Sequence, residues 1–340
     1  MKKLSIFIIT GFLLIIFSSG NVFSGDSSET KKKKVNFVMA STATEEHTYT
    51  KSARDMIEEL KNRTDGRITV EMAWAGALGG ERELTEAIQM GAVEMFWGSD
   101  IGNGTVVKDI NFSTLPYLFP TYEDVDKYYI NGWVGEEVIR ILKENDIKVI
   151  AWLENDYRGL TNSKRPIKSV DDIKGLTLRV PEIPQILDFF EMMGATTASI
   201  PITEVLTALQ TGTVDGQDNG VILTYTFGFH DAQKYFTSTK HVYSGGFITV
   251  NPDWWNSLHP DDQELISELA QKYGKKQIER NRSLVSTYKK KMEESGVEVI
   301  EVTPKMDQEM RKIAVKLWEK HKDRYDPEIM KRLINEFGDN

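Results

Sequence analysis

From Val35 onward, apolar runs of strand length alternate with amphipathic stretches of helix length, and this alternation restricts the possible fold more than any other feature. Residues 35–39 read as a strand, 49–61 as an amphipathic helix and 68–72 as a second strand. Residues 81–90 read as a helix closed by Gly91, which suits the left-handed position after a last turn, and residues 92–97 as the next strand. Helices near 123–129 and 135–144 and an apolar strand over 148–152 follow. The pattern predicts α/β layers with largely parallel strands. A chain of 340 residues, at about 100–200 residues per domain, is long enough for two domains with their own cores.

An internal similarity bears on the same point. Glu83-Leu-Thr-Glu-Ala-Ile-Gln-Met-Gly-Ala-Val-Glu94 aligns with Glu204-Val-Leu-Thr-Ala-Leu-Gln-Thr-Gly-Thr-Val-Asp215, each a helix, a glycine and the start of a strand. The match is either a coincidence of a common motif or the mark of two α/β halves of similar build. In open α/β sheets, ligands sit beyond the carboxyl ends of the strands. The second reading therefore points to Trp97-Gly-Ser-Asp100 in one half and Asp218-Asn-Gly220 in the other. Trp97, Ser99 and Asp100 are candidate ligand contacts on this argument. Trp74 and Trp152, at the ends of expected strands, are further candidates to face a cleft. Gly79, Gly80 and Glu81, at a helix start, could line its mouth.

Residues 260–295 carry the longest helical pattern, with apolar residues at three- and four-residue steps. Pro260, Asp261 and Asp262 suit its start, Lys289 to Lys291 its end, and Gly296 stops it. A helix of this size spans on the order of 50 Å. It either braces two domains or is an ordinary helix broken near Gly274.

The first residues do not belong to that fold. Lys2 and Lys3 precede an almost wholly apolar run from Leu4 to Phe17, followed by small and polar residues in which Val22 and Ser24 suit a cleavage site. This is the pattern of a secretory signal peptide, and residues 1–24 are expected to be removed. There is no cysteine, hence no lipid-accepting thiol and no disulfide. An exported protein without a lipid anchor is retained only where an outer membrane encloses it, so the expected location is a periplasm. Removing residues 1–24 takes away two lysines and no acid, moving the formal charge from −9 to −11. That balance excludes nucleic acid as a partner, which needs a basic face. The block Lys31 to Lys34 reads as part of a solvated linker.

Signals for catalysis are poor. His47, His230, His241, His259 and His321 are scattered, without metal-ligand spacing. Ser28-x-x-Lys31 and Ser286-x-x-Lys289 lack companion motifs, and Gly102-Asn-Gly104 lacks the third glycine of a phosphate loop. No cofactor, no metal and no enzymatic activity are expected; a periplasmic hydrolase or isomerase would need a nucleophile–base pair.

Six stretches, in order along nearly the whole mature chain, carry a resemblance. They are Arg63-Thr-Asp-Gly-Arg-Ile68, Leu78-Gly-Gly-Glu-Arg-Glu-Leu84, Leu115-Pro-Tyr-Leu-Phe119, Tyr157-Arg-Gly-Leu-Thr-Asn-Ser-Lys-Arg-Pro-Ile167, Leu176-Thr-Leu-Arg-Val-Pro181 and Glu204 to Asn219. Together they resemble the substrate-binding subunits of tripartite ATP-independent periplasmic (TRAP) transporters. The resemblance implies a two-domain periplasmic-binding-protein clamshell of α/β class, with crossing hinge strands and a long bracing helix. Its domains are expected at 35–155 plus 245–283 and at 156–244 plus 284–335, after a signal peptide 1–24 and a linker 25–34. It also implies a monomer that captures a small organic acid and delivers it to integral membrane subunits; the alternative is a periplasmic sensor of the same fold presenting its closed form to a receptor. Arg179, in the Leu-Arg-Val-Pro motif, corresponds to the arginine that grips the ligand carboxylate. Arg158 corresponds to a second arginine and Asn219 to the asparagine ending the Val-Asp-Gly-Gln-Asp-Asn run. Asp218 and Gly220 stand where the family usually has Glu and Pro. An arginine suits the task because its planar fork meets a carboxylate bidentately and stays charged. Arg165, beside Pro166, reads as structural.

Overall fold

The computed structural model describes residues 33–338; the expected signal peptide, most of the linker and the Ser28-x-x-Lys31 match lie outside them. Strand β1 (Val35–Ala40) leads through helix α1 (Thr48–Arg63) to β2 (Ile68–Ala73), and α2 (Glu81–Met90) leads to β3 (Met95–Ser99). Helices α3 (Asp100–Val106), α4 (Tyr122–Asp124) and α5 (Trp133–Glu144) precede the long strand β4 (Lys148–Asn162). Then come β5 (Thr177–Val180), α6 (Pro184–Met192), β6 (Thr196–Ser199), α7 (Val205–Gln210), β7 (Gly216–Gly220), α8 (Val221–Thr226), β8 (Tyr235–Ser238) and β9 (Tyr243–Val250). The chain ends with α9 (Pro252–Ser257), α10 (Pro260–Glu294), β10 (Glu298–Glu301), α11 (Pro304–His321) and α12 (Pro327–Phe337).

The strands run in the order β2-β1-β3-β9-β4-β7-β5-β6, with β8 bridging β4 and β10. On one side β1 pairs in parallel with β2 and β3; on the other β5 pairs in parallel with β6 and β7. Between them β4 crosses: its residues 148–157 pair antiparallel with β9, and Arg158 to Asn162 pair antiparallel with β7. The register shifts between Glu154 and Asp156, and Asp156 adopts φ 99°. Such a bulge bends a strand and re-aims the side chains that follow. The α/β alternation thus builds two parallel-stranded lobes joined by an antiparallel crossing.

The long helix is continuous over 35 residues. A polar cap opens it: His259 accepts from the Asp261 amide, and Pro260 occupies the first turn. Gly274 does not break it. A Cβ there would stand 2.5 Å from the Trp152 carbonyl oxygen, so the glycine lets α10 lie directly on β4. Three residues further on, Gln277 donates to the Glu154 carbonyl and accepts from the Glu154 amide, both at 2.9 Å, filling the hydrogen bonds that the bulge leaves open.

Each half of the internal similarity folds alike. Helix α2 ends at Gly91 (φ 71°) and leads to β3 and α3; α7 is followed by Gly212 (φ 71°), then β7 and α8. Ser99 and Gly220 occupy equivalent places as N-caps of α3 and α8. Separate apolar clusters lie under the two parallel sheets: Phe37, Met95 and Ile266 belong to one, Leu178, Phe189 and Met310 to another. Among the described residues no helix is long and apolar enough to cross a membrane, and no group of His, Asp and Glu is placed to hold a metal ion.

Candidate ligand-binding site

Where the strand ends of the two lobes face each other, a small cavity remains, with about 40 Å³ open to the centres of water molecules. Water needs roughly 10–15 Å³ by that measure, so the space suits a few waters or part of a small molecule. Thr42, His47, Tyr49, Glu81 and Ser99 line it from the first lobe; Arg179, Pro181, Ile202, Asn219 and Phe227 line it from the second. Asn155 and Arg158, on the crossing strand, line it at the base.

Arg179 is brought there by β5, whose register beside β6 and β7 sends Leu178 and Val180 into the core and Arg179 the other way. The side chain is only 4% exposed, yet among the described residues no carboxylate comes within ion-pair distance. Its Nε donates to the Ile200 carbonyl at 2.7 Å. Burial brings its pKa down to about 10, partly offset by Asp218 and reinforced by Arg158. It therefore remains a cation at neutral pH, held in a place that disfavours cations.

Arg158 differs. Its Nε and Nη2 donate to the Asp218 carboxylate at 2.8 and 3.0 Å, and Nη2 also donates to the Asp218 carbonyl at 2.6 Å. Both side chains are buried, and His241 Nε2 lies 3.4 Å from the same carboxylate. Burial would raise the Asp218 pKa, but Arg158 and His241 more than offset it and hold the carboxyl below its usual range. Arg158 thus meets the cavity with its charge already balanced, a hydrogen-bond donor more than a net cation.

Asn219 lies on β7 opposite Gly159, and its Nδ2 donates to Gln217 Oε1 at 2.6 Å. The second N–H of that amide and its oxygen have no partner among the described residues, so the group can still donate to a ligand. Gly220 adopts extended backbone and packs against the crossing strand, 3.1 Å separating its Cβ direction from the Tyr157 oxygen. A side chain there would crowd β4.

Ser99 caps α3 by accepting from the Gly102 amide, and donates its own amide and hydroxyl to Glu81 at 2.9 and 2.6 Å. Two lining groups are invisible to sequence reasoning. His47 accepts the Tyr49 amide on Nδ1, so Nε2 carries the proton, and that Nε2 is buried without a partner. Burial, with Lys51, lowers the His47 pKa to about 3, so the ring is neutral. The Tyr49 hydroxyl is likewise buried and unpartnered.

Arg179, Arg158, Asn219 and Ser99 therefore converge; Trp97, Asp100 and Trp74 do not. Trp97 is fully buried among Phe37, Met39 and Ile150, because β3 is covered on both faces and alternate residues enter different cores. Asp100 begins α3, about 100° around the helix from its neighbour. It turns inward to accept from the Gly245 amide (2.9 Å), Tyr129 hydroxyl (3.0 Å) and Ser244 hydroxyl (3.2 Å). Trp74 packs in the same core as Trp97 and donates to Thr50. Trp152 packs on Tyr129 and Phe247 instead of facing the cavity. Arg165 donates to the Asp172 and Lys174 carbonyls, a structural role.

The sequence profile described as "Bacterial extracellular solute-binding protein, family 7" matches residues 39–324. A solute-binding protein of Verminephrobacter eiseniae is 34% identical over 64% of this chain and 65% of its own length. This chain thus spans just under two thirds of that relative. A TRAP periplasmic solute-binding protein from Polaromonas, bound to D-erythronate, superposes with a TM-score of 0.82 at 27% identity, covering 88% of this chain and 98% of that one. Another, from Ralstonia eutropha with bound (S)-2-acetolactate, gives a TM-score of 0.84 at 27% identity, covering 90% and 99%.

Proposed function

Because the chain belongs to the bacterial extracellular solute-binding proteins of family 7, with the two-domain periplasmic-binding fold of TRAP solute-binding proteins, we propose that it captures a small organic acid by its carboxylate between the two lobes. On this reading it hands the acid to the integral membrane subunits of a TRAP transporter. It acts as a monomer in the periplasm after removal of residues 1–24, and performs no catalysis.

The observation that carries the proposal is the unpaired, buried guanidinium of Arg179 at the cavity between the lobes. A buried charge is strongly disfavoured unless it is paired, and a ligand carboxylate supplies the missing partner. The Arg158 donors and the Asn219 amide lie around the same cavity to complete the carboxylate's hydrogen bonds. Charge-assisted hydrogen bonds contribute about 1.5–3 kcal/mol each, so three or so account for most of a micromolar affinity of about −8 kcal/mol. Closure excludes water and strengthens each of them.

Native mass spectrometry of the purified protein identifies any co-purified acid, and calorimetry across an acid library ranks the ligands. The expected result is an acid ligand whose affinity falls by about 2–5 kcal/mol in Arg179→Ala, the range for truncating one partner of a buried charged pair. Tight binding of neutral sugars or peptides alone, undiminished by that substitution, overturns the reading.

A further inference from the structure

Helices α11 and α12 follow one another in the chain but are held by different cores. Met310 and Leu317 of α11 pack with Leu178 and Phe189, whereas Leu333 and Phe337 of α12 pack with Phe96 and Phe119. The two helices do not close fully on each other, and a groove of about 460 Å³ remains between them. It shares no lining residue with the interlobe cavity. Its walls are formed mainly by Tyr117, Ala314, Val315, Trp318, Ile334 and Phe337. The Trp318 ring nitrogen already donates to the Pro116 carbonyl at 3.0 Å, so the indole offers the groove apolar surface alone. Large hydrophobic side chains are seldom exposed among the described residues, yet two that are, Val315 and Ile334, both lie here. A concave apolar surface of this size suits a small molecule. Asp339 and Asn340, which follow Gly338, bring no apolar side chain to cover it.

The charged groups at the groove are not balanced. Glu319 is engaged by Lys322, and Arg311 uses its Nε on Asp307 at 2.8 Å. The two terminal nitrogens of Arg311 make no hydrogen bond among the described residues, and the guanidinium lies over the Tyr117 ring at 4.5 Å. Lys316 has no ion-pair partner among those residues. An apolar channel therefore ends on cationic donors. A cationic amphiphile is repelled there, and a neutral chain leaves the donors to water. An alkyl chain ending in an anion meets both the apolar walls and the charge.

We propose that this groove is a second ligand site, taking one free medium-chain carboxylate with its chain between α11 and α12 and its head at Lys316 and Arg311. The site is independent of Arg179 and of the solute held between the lobes.

The test is calorimetry on ligand-stripped protein with hexanoate, octanoate and decanoate, all below their micellar concentrations. One molecule should bind, with affinity rising roughly fourfold per methylene as each CH₂ leaves water. Arg179→Met should leave decanoate affinity unchanged, which separates this site from the interlobe cavity. Val315→Asp, at an exposed position, should weaken decanoate by roughly 10-fold or more, because its charge meets the chain. Lys316→Gln should weaken it by up to about fivefold, the range for one exposed ion pair. It also tests the site should Val315→Asp fold poorly. Decyltrimethylammonium should not bind. Absence of decanoate binding, or binding lost in Arg179→Met and kept in well-folded Val315→Asp, overturns the inference. So does equal affinity for the cationic amphiphile. Dimers in sedimentation, or capture on phosphatidylglycerol vesicles, that Val315→Asp abolishes would assign the groove to a second copy or to a membrane, and overturn it too.

Discussion

The guanidinium of Arg179 makes one hydrogen bond within the described protein, from Nε to the Ile200 carbonyl at 2.7 Å, and its two terminal nitrogens make none. That single bond orients the fork without neutralising it. Holding a buried charge for an absent partner lowers the stability of the empty protein. Arg179→Met, which keeps the aliphatic stem and removes the charge, should therefore leave the ligand-free protein as stable as wild type or more so, by about 1 kcal/mol. The same substitution should abolish the stabilisation that ligand gives. Denaturant unfolding of both proteins, with and without ligand, measures the two effects together; a large loss of stability in the empty variant would contradict this account.

Asp218 presents the opposite case, since its carboxylate balances Arg158 in full burial. Asp218→Asn removes the acid and leaves the guanidinium without its counter-charge. Breaking a buried pair in this way typically destabilises by about 3–5 kcal/mol. An anionic ligand should recover part of that loss, because the cavity then holds two uncompensated cations. The expected signature is a lower unfolding midpoint without ligand and a larger ligand-induced shift than in wild type. Equal shifts in the two proteins would mean that Arg158 does not sense the ligand.

How much of this is legible in the sequence depends on the range of the information. The α/β alternation, the caps of α10 and the twin helix–glycine–strand units are local patterns, and they appear where the residues place them. The twin units also lead to Ser99 and Asn219, which face one cavity from opposite lobes. Trp97 is misplaced by the same argument because β3 is covered on both faces, so no polar alternation tells which way its side chain turns, and Asp100 because it already belongs to the first turn of α3. The strand expected over 148–152 runs on to Asn162, since Glu154, Asn155 and Asp156 break the apolar run yet are accommodated in place. Glu154 is met by Arg282 and Gln277, more than 120 residues away, and Asp156 by Tyr122. His47 and Tyr49 carry no pattern; only the closed fold brings them to the site.

Gly274 offers a test of the bracing helix. Its Cβ position lies 2.5 Å from the Trp152 oxygen and 3.3 Å from the Ala151 side chain, both on β4. Alanine ordinarily favours a helix over glycine by about 1 kcal/mol. Here, Gly274→Ala should destabilise instead, by about 1–3 kcal/mol, because backbone cannot yield as a flexible side chain does. Thermal unfolding decides the sign; a stabilised variant would show that α10 does not lie so closely on the crossing strand.

Glu154 sits at the bulge of that strand, fully buried, and burial raises its pKa to about 7 against the pull of Arg282. An acid whose folded pKa lies above its unfolded value of about 4.5 binds more protons when folded. Its contribution to stability is thus greatest below about pH 4.5 and is lost as pH rises through about 7. His47, neutral in the fold with a pKa of about 3 against an ordinary 6.5, acts in the opposite sense between those two values, so the total curve is not diagnostic. The difference between wild type and Glu154→Gln isolates the carboxyl, since the amide does not titrate. That difference should move in favour of the variant by up to about 3 kcal/mol between about pH 5 and 7.5, over and above a constant offset from the altered contact with Arg282. Denaturant unfolding at half-unit pH steps measures it; a difference that is flat across this window would show that Glu154 stays ionised throughout, its burial outweighed by Arg282.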